Sequence, residues 1–245
     1  MAINIWIVLA ASIITALFTG LGVIPFLLCK NFNRQWLGIF NSIAAGLMLG
    51  ASFQLINKGV ELGALRTLIG LVLGLILIVL ANIWIQRSKG FAIKNIEKSD
   101  ARKIFLILGV MTAHSFAEGI GVGVAFGGGE QLGYLVTIAI AIHNIPEGLA
   151  ISLVLVPKGI RRISAAGWSI FSSLPQPIMA VPAFLFILFF APLLPIGLGL
   201  AAGAMFWMVF AELIGDALRD APKSLVGVVV TLSFTAMLIF QILIS

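Results

Sequence analysis

Apolar residues run along this chain in long blocks, separated by short clusters of polar residues, glycine and proline. About 20 consecutive apolar residues in helical form span the hydrocarbon core of a bilayer, so each block predicts a transmembrane helix. The helices fall near residues 3–28, 36–57, 66–86, 102–126, 131–156, 164–190, 196–218 and 224–244. The pattern therefore predicts an all-α integral membrane protein with eight transmembrane helices in a single domain over residues 1–245. The first block resembles a signal peptide only in position. No basic segment precedes it and its apolar run is too long, so it reads as the first permanent helix.

Composition agrees: 61% of the 245 residues are hydrophobic and 10% are charged, against about a quarter charged in an ordinary soluble domain. That excludes a water-soluble surface, and the short connections leave no room for a soluble catalytic domain. The net charge of +6 is a matter of loops rather than of nucleic acid. With eight helices, every Lys and Arg except Lys58 and Arg66 falls on one side of the membrane. The positive-inside rule makes that side cytoplasmic and puts both termini outside the cytoplasm. The one sizeable loop, 87–103, is Lys-rich and contains no histidine, which suits a solvated linker against anionic headgroups. The single cysteine, Cys29, has no disulfide or CxxC partner and reads as a packing residue.

Ionisable groups inside a bilayer cost about 2.5–3.5 kcal/mol each for Asp, Lys or Arg, so each requires a reason. The chain's two histidines, His114 and His143, both lie in predicted membrane helices, and each is followed four residues later by a glutamate, Glu118 and Glu147. The segments read HSFAEG and HNIPEG, one motif used twice. Residues i and i+4 share a helix face, so two facing helices would gather two imidazoles and two carboxylates. Imidazole nitrogen with carboxylate oxygen suits zinc rather than sodium or magnesium. Two ionised glutamates also balance a dication, which leaves the loaded centre near neutral at membrane depth.

Ser115 and Asn144 follow the histidines, rotated by about 100° around each helix, and can offer oxygen to a second ion or to its water shell. Pro146 removes a helical hydrogen bond beside the motif and frees the carbonyl of Ile142. Gly119, Gly121, Gly123 and Gly148 permit close helix approach. Gln176, between Pro175 and Pro177 where an ideal helix cannot form, is a candidate neutral ligand. Glu212 and Asp216, again four apart, are either a secondary ion-binding step near the cytoplasmic mouth or partners of the loop holding Arg219. Met48 is a candidate thioether ligand whose ordinary role would be packing.

At the paired HSFAEG and HNIPEG segments the chain resembles the ZIP (Zrt-, Irt-like) family of divalent metal transporters. The resemblance extends over essentially the whole chain in helix number and termini. It implies the family's eight-helix bundle, with helices four and five lining the path and helices two and seven completing an inner bundle. It also implies that His114, Glu118, His143 and Glu147 are the primary metal ligands. Ser115, Asn144 and Gln176 match positions that complete a second, adjacent metal site bridged by Glu147. Two positions depart from the family pattern: Ser115 stands where asparagine is common, and Gln176 where many members have glutamate.

The expected function is movement of a divalent transition metal, zinc first, toward the cytosol by alternating access. The same ligands also accept iron(II), manganese, cobalt and cadmium. No cofactor is expected beyond the transported ion. The expected partners are that ion and the lipid bilayer, a homodimer is allowed for, and nucleic acid is excluded. The expected location is the cell (inner) membrane, as a multi-pass protein. A rival reading, an intramembrane zinc protease, requires HExxH, and Ser115 and Asn144 occupy the place of its glutamate. The other rival is a proton or organic-solute transporter that uses the His–Glu pairs as a relay.

Overall fold

A computed structural model describes residues 4–28, 33–87 and 98–244. Cys29 and most of the Lys-rich loop, including Lys89 and Lys94, lie outside the described residues. Among the described residues every regular element is helical. Helix α1, Ile5–Thr19, begins at Asn4, whose side-chain oxygen accepts from the Trp6 amide at 3.1 Å and caps an otherwise unpaired donor. The chain continues through a 3₁₀ turn, Gly20–Val23, into the short α2, Ile24–Leu28.

Helix α3, Arg34–Arg87, leaves helical geometry at Gly63 (φ 164°, ψ 92°). In an uninterrupted helix, residues 59 and 67 would lie about 12 Å apart along the axis. Here a Cβ placed on Gly59 would meet Thr67 Oγ1 at 2.7 Å, so the chain doubles back at Gly63. The two arms cover the helices expected over 36–57 and 66–86, and the polar residues between them form the tip of a helical hairpin. At that tip Lys58 and Glu61 pair at 3.0 Å, both exposed.

Helices α4, Lys98–Gly128, and α5, Glu130–Leu155, are separated by one residue, Gly129, whose φ of 141° suits glycine. Helix α5 continues through Pro146. After a 3₁₀ turn come α6, Arg162–Ser172, α7, Pro175–Leu185, and α8, Ile187–Phe190. The block expected as one helix over 164–190 is therefore divided into three pieces. The break lies before Pro175, and that proline takes the first position of α7, where no intrahelical amide bond is needed. Helix α9, Leu194–Met208, passes through a π-helical turn, Val209–Leu213, into α10, Ile214–Asp220, and α11, Lys223–Ile244, closes the chain.

Six helical stretches among the described residues are long and apolar enough to cross a membrane: Ile5–Leu28, Arg34–Trp84, Lys103–Gly128, Glu130–Lys158, Ile187–Asp220 and Lys223–Leu243. The second of these is the hairpin of α3, and α6 and α7 are each too short to count singly. Apolar residues fill most of the interior and also cover the outer surface, while a set of polar groups is buried. Asn144, Glu147 and Gln176 are fully buried, whereas Trp84, Leu188 and Leu243 point outward. An exterior this apolar is stable when the surroundings are lipid.

Helix α4 packs against α5, α7 and α9, α1 packs against α5 and α7, and α3 packs against α9 and α11. Small residues set the closest approaches. A Cβ on Gly119 of α4 would lie 2.5 Å from the Gln176 carbonyl oxygen, and one on Gly123 would overlap the Ala180 carbonyl, so these two glycines seat α7 on α4. Gly148 of α5 likewise lies directly against the Thr19 carbonyl at the end of α1. Gly121 does not share this role, since its nearest neighbour, Leu194 Cδ1, is 4.0 Å away.

Candidate functional site

The crossing of α4 and α5 brings both copies of the motif face to face. His114, Glu118, His143 and Glu147 each present one ligand atom to a common centre, and these atoms lie within 4.8 Å of one another. His114 Nε2 is 2.8 Å from Glu147 Oε1 and 3.4 Å from Glu118 Oε1. His143 Nδ1 is 3.7 Å from Glu118 Oε1, and His143 Nε2 is 3.8 Å from Glu147 Oε1. The two rings meet edge to face with centroids 5.6 Å apart. Each carboxylate thus faces both imidazoles, an arrangement that needs two helices and the i, i+4 spacing on each.

All four side chains are buried, the most exposed being His143 at 7%. Despite this, Glu118 Oε1, both oxygens of Glu147, both nitrogens of His114 and His143 Nε2 have no partner of hydrogen-bond geometry among the described residues. A buried polar group left unpaired costs about 1–3 kcal/mol, and more when it is charged. A cation at the centre would satisfy most of these atoms at once. Tetrahedral zinc with bonds of about 2.0–2.1 Å holds its ligand atoms roughly 3.3 Å apart. The contacts from His114 Nε2 to the two carboxylates, 2.8 and 3.4 Å, and from His143 Nδ1 to Glu118, 3.7 Å, bracket that spacing, and the four ligand atoms lie within 4.8 Å of one another.

Ser115 and Asn144 are fully buried beside the cluster, and neither Ser115 Oγ nor Asn144 Oδ1 has a hydrogen-bond partner among the described residues. Asn144 directs its amide nitrogen to the Thr15 carbonyl at 2.7 Å and to Gln176 Oε1 at 3.2 Å. Gln176 reaches the cluster from the first turn of α7, where its Nε2 donates to Glu118 Oε2 at 2.6 Å. Its Oε1 lies 2.6 Å from Thr15 Oγ1. Both ends of the Gln176 amide are thus engaged by protein.

Glu212 and Asp216 are not part of this cluster. Glu212 and Asp216 bracket Lys103, with Lys103 Nζ 3.2 Å from Glu212 Oε2 and in close contact with Asp216 Oδ2. Arg219 adds a contact of 3.4 Å to Asp216 Oδ1. The acidic pair is therefore neutralised by basic residues, chiefly by Lys103 on α4, at the boundary between the expected loop 87–103 and the expected helix 102–126. Met48 is fully buried in the same apolar cluster as Ala44, Met111 and Met205.

Thr15 is a site neighbour that lies outside the paired motif. Its signal is present but faint: Ser12, Thr15 and Thr19 recur at three- and four-residue spacing in an otherwise apolar helix, and all three are fully buried. Thr19 completes this polar edge with a 2.8 Å contact to Ser173, at the break between α6 and α7.

Comparison with known proteins gives a consistent result. A family model described as ZIP Zinc transporter matches residues 86–241. A protein of Arabidopsis thaliana, named as a candidate zinc transporter, is 46% identical over 222 residues, covering 89% of this chain. The chain spans only 36% of that relative's length. Zinc transporter GufA of Myxococcus xanthus is 31% identical over 86% of this chain and 88% of its own length. Zinc transporter ZIPB of Bordetella bronchiseptica is 29% identical over 90% of this chain and 75% of its own.

Proposed function

The chain belongs to the ZIP zinc transporter family, and from that premise we propose that it moves a divalent transition metal, zinc first, across the membrane through the His114, Glu118, His143, Glu147 cluster. The observation that carries this reading is the convergence of two imidazoles and two carboxylates from α4 and α5 at a buried point, with most of their polar atoms lacking a partner of hydrogen-bond geometry among the described residues. Such a centre gains more from a soft-to-borderline dication than from sodium or magnesium, because two of its four donors are nitrogen. Two carboxylates supply the charge that cancels the ion's own. Iron(II), manganese, cobalt and cadmium fit the same donor set, so competition among them sets the order.

The multi-pass chain crosses the membrane eight times in this reading, with both ends outside the cytoplasm. Support comes from the α3 hairpin, which supplies two crossings, and from α6 with α7, which together supply a broken one. The excess of basic residues on one side gives the orientation. Transport is by alternating access toward the cytosol in the cell (inner) membrane, with α4 and α5 moving as the liganding pair. Ser115 and Asn144 lend oxygen to the ion or its water.

The test is zinc uptake into metal-free proteoliposomes that contain the purified protein, compared with His143→Ala and Glu147→Ala after all three are shown to be folded. Wild type should accumulate zinc and both variants should fall to the level of protein-free liposomes. Uptake that survives in both variants, or transport of protons in strict absence of transition metal, would move the reading to a His–Glu proton relay.

A further inference from the structure

Two observations on Glu118 call for an explanation. Its Oε1 faces both histidines, whereas its Oε2 is held by Gln176 Nε2 at 2.6 Å. Carboxylate oxygens only accept hydrogen bonds when ionised, so the amide nitrogen of Gln176 must point to Glu118 and its carbonyl oxygen must point away. The groups on the other side fit that orientation. Asn144 Nδ2 is committed to the Thr15 carbonyl at 2.7 Å and offers its second hydrogen to Gln176 Oε1 at 3.2 Å. Thr15 Oγ1 lies 2.6 Å from the same oxygen and 2.8 Å from the Ser12 carbonyl, so its one proton can serve either. The chain of donors runs one way, from α1 and α5 through the Gln176 amide to Glu118.

We propose that Gln176, held by Thr15 and Asn144, is a positioning residue that fixes Glu118 as a one-oxygen ligand and restricts the centre to a single cation. The inference rests on the metal-binding reading of the His/Glu cluster and deepens it. A hydrogen bond to an ionised acceptor is among the stronger ones, so Oε2 is unavailable for chelation while the amide is in place. An amide N–H₂ carries no lone pair to give a metal. Its hydrogens therefore stand where a second cation on the Gln176 side of Glu118 would need an oxygen. The side-chain carbonyl of Gln176, the atom of that amide able to ligate, is already met by Asn144 and Thr15. The backbone gives little freedom to reorganise, because Gly119 lies against the Gln176 main chain.

The experiment is equilibrium dialysis of the full-length detergent-purified protein against zinc at pH 8, with bound metal counted by elemental analysis and the zinc environment read by X-ray absorption. Wild type should bind one zinc per chain. Gln176→Leu should still bind one, about tenfold more weakly or beyond, the loss expected for a hydrogen bond to a charged group. Its X-ray absorption should show an added zinc–oxygen contact as the freed Oε2 turns to the metal. Thr15→Val should shift affinity in the same direction, and Thr15→Ser should restore it. Gln176→Glu replaces the donor by a second carboxylate beside Glu118, and should bind two zinc ions per chain. Two zinc ions on wild type, an unchanged affinity and spectrum in Gln176→Leu, or a single ion on Gln176→Glu would overturn the proposal. Loss of all zinc in His143→Ala serves as the separate check: if that variant binds zinc like wild type, the reading of the centre itself has failed.

Discussion

Glu147 is fully buried with neither oxygen hydrogen-bonded among the described residues, and His114 Nε2 stands 2.8 Å from it. At the scale of single residues the consequence is a dependence on protons. A metal-ligating imidazole must be neutral, so zinc and protons compete for the same nitrogens. Lowering the pH raises the proton's share in that competition, so uptake should fall as the pH is taken from about 7.5 to about 5.5. Proteoliposomes loaded at fixed free zinc, with both faces buffered alike, give the profile, and a flat rate across that range would remove the coupling. The two histidines and two glutamates were legible in the sequence because an i, i+4 repeat in an apolar block is rare and costly there. Thr15 was not legible in the same way, because a threonine in a membrane helix usually satisfies itself on its own backbone.

At the scale of elements, the approach of α1 to α5 depends on Gly148, whose hydrogen faces the Thr19 carbonyl. A methyl group there must push the two helices apart, and overpacking of this kind costs about 1–3 kcal/mol, more where backbone cannot yield. Gly148→Ala should therefore lower the thermal stability of the detergent-solubilised protein and reduce zinc uptake together, since α5 carries His143 and Glu147. Gly121→Ala makes the control, because its nearest neighbour is 4.0 Å away and the added methyl has room. A thermal melt followed by size-exclusion fluorescence separates the two, and equal melting points would show that this contact does not set the packing. The sequence treated all four glycines alike, since glycine marks permission for close approach and not which neighbour uses it. The division of residues 164–190 was legible only in part. Pro175 and Pro177 announced an irregularity, whereas the contact that Ser173 makes at the break, with Thr19, comes from another helix.

For the molecule as a whole, the proposed orientation predicts which hydrophilic segments face each side. Lys58 lies at the tip of the α3 hairpin and Lys158 at the far end of α5. In a Cys29→Ser background, Lys58→Cys should react with a membrane-impermeant maleimide in intact cells, and Lys158→Cys only after permeabilisation. The reverse pattern would invert the topology, and labelling of both positions in intact cells would overturn the crossing count.

Length, apolar block size and charge asymmetry are sums over local sequence, and they were enough to establish a helical membrane protein and to favour one orientation of its loops. The i, i+4 spacing is a property of one helix, so the sequence could also pair each histidine with its own glutamate. Which helices meet is decided by side-chain packing between segments far apart in the chain. Thr15 and Gln176 are 161 residues apart, and Glu118 and Gln176 are 58 apart. Only the tertiary structure places the Gln176 amide on one oxygen of Glu118. It alone sets Lys103 between Glu212 and Asp216, because no periodicity within a helix records the register of its neighbours.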